Sequence, residues 1–148
     1  MMQNVLIKLF KRDLNSVKLE INAYSSEANM WLLKDGINNS TGNLSLHIVG
    51  GLNHFIGAVI GNTGYVRKRD LEFSLKNVSR QDLINQLDDV ELMIEEIVAK
   101  LSDKDLENTY PINVFKEPMT VGFFLTHLTT HLGYHLGQIN YHRRLLDK

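Results

Sequence analysis

The stretch Thr126-His-Leu-Thr-Thr-His-Leu-Gly-Tyr-His-Leu-Gly-Gln-Ile139 places His127, His131 and His135 four residues apart, and His142 follows seven residues later. An α-helix advances about 100° per residue, so these four positions fall within an arc of about 80° on one face. Imidazole is the commonest side-chain ligand of metal ions. The spacing therefore predicts a C-terminal helix with a line of imidazoles, and a metal site is the first functional hypothesis.

Helix geometry limits which of these histidines can share one metal ion. Metal–nitrogen bonds are about 2.0–2.1 Å long, so two ligand nitrogens must approach within about 3–3.5 Å. Residues i and i+4 have Cβ atoms about 6 Å apart and can converge, whereas residues i and i+8 are separated by a rise of about 12 Å. The pair is therefore either His127 with His131 or His131 with His135. Neither pair encloses a glutamate, which excludes the His-Glu-x-x-His pattern of zinc proteases.

Two histidines leave the site one ligand short of the three that catalytic zinc usually has. His47 and His54 are the remaining candidates, and their spacing of seven residues puts both on one face of a second helix. Either would complete a three-histidine site with open positions for water or substrate. His142 is interpreted as a surface residue or one favoured by the helix dipole, and His127 as a residue that stacks or hydrogen-bonds near the site.

The composition is that of an ordinary globular domain. The chain has 148 residues, of which 43% are hydrophobic and 22% charged, with a formal net charge of −1. These values predict one domain over residues 1–148 and argue against a nucleic-acid partner. The absence of cysteine excludes thiolate metal ligands and a cysteine nucleophile. Because no signal-peptide core or membrane-spanning run is found, the protein is expected to be cytoplasmic, with no membrane partner.

Apolar residues recur at helical spacing in four long segments, which predict four helices. The segments are residues 3–33, Leu44 to Ile60, a helix that Ser79 caps and that continues to about Leu101, and a helix that Thr120 caps and that runs from Val121 to near Leu146. The predicted fold class is all-α, a four-helix bundle.

The segments between these helices carry weaker signals. Residues 65–78 are predicted to be an irregular connection, Ser102 to cap a short turn, and residues 110–115 to pair briefly as a strand. The second helix contains several glycines, each of which costs roughly 1 kcal/mol relative to alanine. They predict close packing of a neighbouring helix, above all at Gly57.

The pattern as a whole resembles the DinB-like (YfiT-type) superfamily over roughly residues 3–146. The residues that carry the resemblance are His47 within Asn43-Leu-Ser-Leu-His-Ile48, the run His131-Leu-Gly-Tyr-His-Leu-Gly-Gln-Ile139, and Trp31 with residues 37–43 before the second helix. The resemblance implies a DinB/YfiT-type four-helix bundle, a divalent metal (zinc or nickel) and a homodimer. Carried over residue by residue, it implies that His47, His131 and His135 are the metal ligands.

The resemblance also implies an activity, although fold alone does not fix a substrate. The leading hypothesis is a metal-dependent enzyme similar to thiol S-transferases, in which a metal-bound thiol or water is activated. Its partner would be a small-molecule substrate, such as a low-molecular-weight thiol. Gln138 is a candidate to orient the metal-bound group or a ligand histidine, and no catalytic residue is otherwise assigned. The alternatives are a metal-dependent hydrolase of a small substrate, a non-catalytic metal-binding stress-response module, and a helical bundle whose histidines bind nothing.

Overall fold

Six α-helices make up most of the molecule. The structure is a computed structural model and describes all residues from 1 to 148. Their bounds are α1 (Met2–Ala23), α2 (Thr41–Leu52), α3 (Arg69–Ser74), α4 (Arg80–Val98), α5 (Asp103–Glu107) and α6 (Val121–Leu146). A 3₁₀ turn at Glu27–Trp31 and a π-helix at Asn53–Ala58 complete the regular structure. Helix α1 packs against α4 and α6, and α2 also packs against α4 and α6. The predicted all-α bundle is confirmed.

Serine and threonine caps fix where the helices begin. The side-chain oxygens of Ser79, Ser102 and Thr120 each accept a backbone N–H three residues on, which satisfies one of the free donors of a helix start. These three caps confirm the predicted starts. Helix α2 begins three residues earlier than predicted because Ser40 caps it and accepts the Asn43 N–H. Thr41, Gly42 and Asn43 therefore belong to the first turn of α2.

The predicted first helix over residues 3–33 is wrong beyond Ala23. Tyr24 has an extended backbone (φ −62°, ψ 131°) and ends α1. The chain then turns at Ser25, whose N–H donates to the Asp147 carboxylate over 2.8 Å. The helical spacing continued in the sequence through Tyr24, Ala28 and Trp31 because the irregular segment also packs on the core: Tyr24 is buried and Trp31 lies against the core residues.

His142 lies in the core and not on the surface, contrary to the sequence-based expectation. Its side chain is 2% exposed, and its Nε2–H donates to the Leu32 carbonyl over 2.9 Å. Burial lowers the pKa of His142, so its Nδ1 accepts from the Tyr24 hydroxyl at 2.7 Å. The Tyr24 oxygen in turn accepts from Thr41 Oγ1 at 2.6 Å. This chain of hydrogen bonds joins α6 to α2 and to the end of α1.

Two connections also differ from their predictions. Residues 110–115 form no strand; the Thr109–Thr120 pair is an isolated bridge, and Tyr110 N–H donates to Met119 O over 2.8 Å. The connection over residues 65–78 contains α3, which is too short to show an apolar period. Close packing at the glycines is confirmed for Gly57, where an added Cβ would lie 3.4 Å from Met93 Sδ of α4.

Candidate metal centre

The bundle brings three imidazoles together from two helices. His131 and His135 lie one turn apart on α6, and their Nε2 atoms are 3.1 Å apart. His47 faces them from α2, with its ring centroid 5.5 Å from that of His131 and 4.9 Å from that of His135. One nitrogen from each of the three lies within 4.8 Å of the others. We call these three residues the histidine cluster.

Hydrogen bonds to the outer nitrogens orient two of the three rings. His47 Nδ1–H donates to Glu72 Oε1 over 3.0 Å, since a carboxylate can only accept. His135 Nδ1–H donates to Gln138 Oε1 over 2.7 Å. Both rings therefore turn an unprotonated Nε2 toward the cluster. His135 Nε2 accepts from His131 Nε2–H, and that proton is the one that a metal ion would replace.

Glu72 links the cluster to an arginine. Its side chain is 7% exposed, and the carboxylate accepts from Arg67 Nε and Nη2, each over 2.9 Å, in addition to His47. Carboxylates that hold the outer nitrogen of a ligand histidine fix its tautomer and raise its basicity. Glu72 was not among the predicted site residues, because it lies in the segment 65–78 that was predicted to be an irregular connection.

Two features of the surroundings fix the position of Glu72. Asn43 Nδ2 donates to the carbonyls of Glu72 and Leu75, each over 2.9 Å, and so ties α3 to the first turn of α2. A Cβ on Gly50 would overlap the Glu72 carboxylate, with the Cδ atom only 2.5 Å away. Gly50 is therefore glycine because a buried side chain occupies that space. In the sequence, this glycine three residues after His47 indicates a close neighbour on that side of α2, and only the structure identifies the neighbour as Glu72.

Burial keeps the cluster neutral at physiological pH. Removal from water, followed by the neighbouring imidazoles of His135 and His47, lowers the pKa of His131 to about 4. Burial also lowers the pKa of His47, against the opposing hydrogen bond to Glu72. The pKa of His135 is lowered by burial and raised in part by Gln138. Neutral imidazoles are the form that binds metal ions.

A cavity of about 260 Å³ opens beside the cluster and is lined by His47 and His131. Its apolar wall includes Phe55 and Phe124, whose rings meet edge to face at 5.2 Å. The π-helix that follows α2 carries Phe55, and the Tyr110 hydroxyl donates to the Phe55 carbonyl over 2.7 Å. Such π-helical turns often lie at functional sites. The cavity gives a small molecule access to the histidines.

The other candidate histidines lie outside the cluster. His127 lines the cavity and stacks on Phe124 at 5.9 Å with an interplanar angle of 13°, in agreement with the stacking interpretation. His54 falls in the π-helix, where its ring packs on Phe55 at 4.9 Å. Of the two pairs that helix geometry allows, the structure brings His131 and His135 together with His47. The residues alone did not decide which of the two pairs on α6 is used. They also did not decide whether His47 or His54 is the third member.

No helix in the structure has the length and apolarity needed to cross a membrane.

Comparison with known proteins gives a family and a fold. The family model of the DinB superfamily matches residues 26–139. Among solved structures, the chain is similar to a DinB-like protein from Bacillus cereus ATCC 10987, with a TM-score of 0.72 and 20% sequence identity. The match covers 97% of this chain and 93% of the other. No curated protein matches the chain.

Proposed function

Because the chain belongs to the DinB superfamily, we propose that it binds a divalent metal ion through His47, His131 and His135. The observation that carries the proposal is the convergence of three imidazole nitrogens within 4.8 Å. Three histidines with positions left open for water or substrate are the ligand set of catalytic zinc in one well-known class of enzymes. Imidazole also suits nickel, so zinc and nickel are the two metals to test first.

The donor chemistry of the residues fits such an ion. Glu72 and Gln138 hold the outer nitrogens of His47 and His135, and ligand histidines in metalloproteins almost always have such partners. Lowered pKa values keep all three rings in the neutral form. Gln138 takes the role of a positioning residue in this proposal, because its amide oxygen contacts a ligand and not the cavity.

We further propose that the protein is an enzyme acting on a small molecule, with transfer of a low-molecular-weight thiol to an electrophile as the first reaction to test. The cavity beside His47 and His131 supports an enzyme over a purely structural metal site. A bound divalent metal supplies Lewis acidity, which lowers the pKa of water or a thiol so that its anion is available near pH 7. The protein's own residues bind and orient the substrate, and the aromatic wall excludes water from part of the cavity.

The test begins with metal content. Protein purified without a histidine tag should contain zinc or nickel in about one equivalent by elemental analysis, or take it up with a rise in melting temperature. His131→Ala should reduce affinity by a factor of at least about ten, since a ligand is lost. His54→Ala is the matched control, because His54 is outside the cluster, and it should bind as the wild type does.

Two results would refute metal binding through this cluster. One is a wild-type protein with neither bound metal nor a melting shift with zinc or nickel. The other is equal affinity in His131→Ala and His54→Ala. Stoichiometric metal without turnover of any thiol or ester substrate would favour the non-catalytic alternative. The homodimer and the cytoplasmic location stay predictions, and sedimentation velocity would test the first of them.

A further inference from the structure

The cavity beside the histidine cluster has a basic side as well as an aromatic one. Arg67 and Arg69 both line it, and no aspartate or glutamate does. Apolar side chains make up seven of its thirteen lining residues. A small cavity that combines an apolar wall with a few convergent charged groups is typical of a site for one class of ligand.

The two arginines are not equivalent. Arg67 is half-buried, and its Nε and Nη2 donate to Glu72. The Glu72 carboxylate offsets the charge of the guanidinium, and Nη1 stays free to bind a ligand. Its guanidinium also lies 5.6 Å from the centre of the Phe55 ring. Arg69 forms no ion pair; its guanidinium lies 5.3 Å from the Phe73 ring, which in turn packs at 5.0 Å on His47. The uncompensated positive charge at the cavity is therefore that of Arg69.

We propose that the cavity takes a small organic anion whose apolar part packs on Phe55 and Phe124 and whose anionic group binds Arg69 and Nη1 of Arg67. The proposal deepens the proposed function and rests on it, because the same molecule presents its reacting atom to the histidine cluster. The volume of about 260 Å³ is slightly below the roughly 300–1,000 Å³ of pockets for drug-sized ligands. The ligand is therefore a small metabolite with one apolar segment and not an extended chain.

Charge and geometry favour an anion over a neutral or cationic ligand. Guanidinium groups bind carboxylate and phosphate through paired hydrogen bonds, and these are stronger than hydrogen bonds between neutral groups. Asp70 lies near Arg69 on the outer surface, but it does not line the cavity. A metal ion held by the three neutral histidines would add further positive charge at the inner end. A cationic substrate would be repelled both by the arginines and by that metal ion.

The proposal is tested by isothermal titration with three probes. They are 3-phenylpropanoate, its neutral analogue 3-phenylpropanamide, and inorganic phosphate, each titrated into the metal-free and the zinc-loaded protein. The carboxylate should bind more tightly than the amide in both forms. Phosphate should bind more weakly than 3-phenylpropanoate, because it has no apolar part to bury. Phosphate binding as tightly as 3-phenylpropanoate would refute the role given to the aromatic wall.

Substitution at Arg69 then identifies the contact. Arg69→Ala should weaken binding of 3-phenylpropanoate by about three- to tenfold, the range for a partly exposed charge-assisted hydrogen bond, and leave the amide unaffected. Lys68→Ala is the matched control, since it removes the same charge one residue away and Lys68 does not line the cavity. Both side chains are exposed, so neither change should lower the melting temperature.

The outcomes distinguish a failure of the anion site from a failure of the metal site. Equal binding of the carboxylate and the amide, or equal losses in Arg69→Ala and Lys68→Ala, would overturn the anion site even if zinc binds. If zinc does not bind but the metal-free protein still prefers the carboxylate through Arg69, the metal proposal fails and the anion site stands.

Discussion

Replacing Gly50 with alanine should damage the histidine cluster without touching any histidine. The new Cβ would overlap the Glu72 carboxylate, with Cδ 2.5 Å away. Ordinary carbon–carbon contacts are about 3.5–4.0 Å, so the carboxylate must move by about 1 Å. Gly50 and His47 lie on the same face of α2 at positions i+3 and i. Displacement away from Gly50 therefore also carries Glu72 away from His47.

The size of the effect follows from the hydrogen bond that is lost. The distance from His47 Nδ1 to Glu72 Oε1 is 3.0 Å, and an added displacement of about 1 Å takes it beyond hydrogen-bond range. Loss of such a partner of a ligand histidine reduces metal affinity by about 10–100-fold, which is about 1.4–2.7 kcal/mol. The same movement weakens the ion pair between Glu72 and Arg67. Without the carboxylate at Nδ1, the His47 ring loses the contact that fixes its tautomer and its orientation.

Gly51→Ala is the matched control on the same helix. A Cβ there meets only Arg67 Nη2, at 3.6 Å, which is an ordinary contact. Both substitutions raise helix propensity equally, so their difference isolates the displacement of Glu72. The assay is competition for zinc with a chromophoric chelator, with circular dichroism to verify that helix content is unchanged. If Gly50→Ala and Gly51→Ala bind zinc as tightly as each other, the role assigned to Glu72 is wrong.

Two further predictions concern stability. The free energy of unfolding of the metal-free protein should fall as pH decreases from 6.5 toward about 4, because the unfolded chain then binds a proton that folded His131 resists. Urea unfolding at pH 7 and pH 5 measures this loss, and a His131→Leu variant with an equally steep loss would contradict the assignment. Gly57→Leu should destabilise by about 1–3 kcal/mol through overpacking, since even its Cβ would lie 3.3 Å from Thr63 Oγ1 and 3.4 Å from Met93 Sδ. Gly137→Leu, at a site with no neighbouring atom within 4 Å, is the control for thermal melting, and an equal loss there would refute the packing argument.

Local sequence predicted the parts of the fold that depend on neighbouring residues. Helix α6 begins where Thr120 predicted, since a cap depends on backbone donors two or three residues away. The end of α1 was not predictable in this way. Ser25 and Tyr24 turn the chain by bonding to Asp147 and His142, which lie at the other end of the sequence. The same distant contacts explain why His142 was misinterpreted as a surface residue.

For the candidate site, the sequence determined that His131 can pair with a histidine one turn away, because helix geometry is local and fixed. It did not decide from the residues alone whether His47 or His54 joins them. Only the tertiary structure decided this, through the packing of α2 on α6 and the π-helix that carries His54 beside Phe55. The tertiary structure also brings Glu72 to His47. The sequence did not predict this contact, because a helix as short and charged as α3 has no apolar period that reveals which side chain it buries. Contacts between distant segments depend on how whole helices pack, and that information is spread over the entire core.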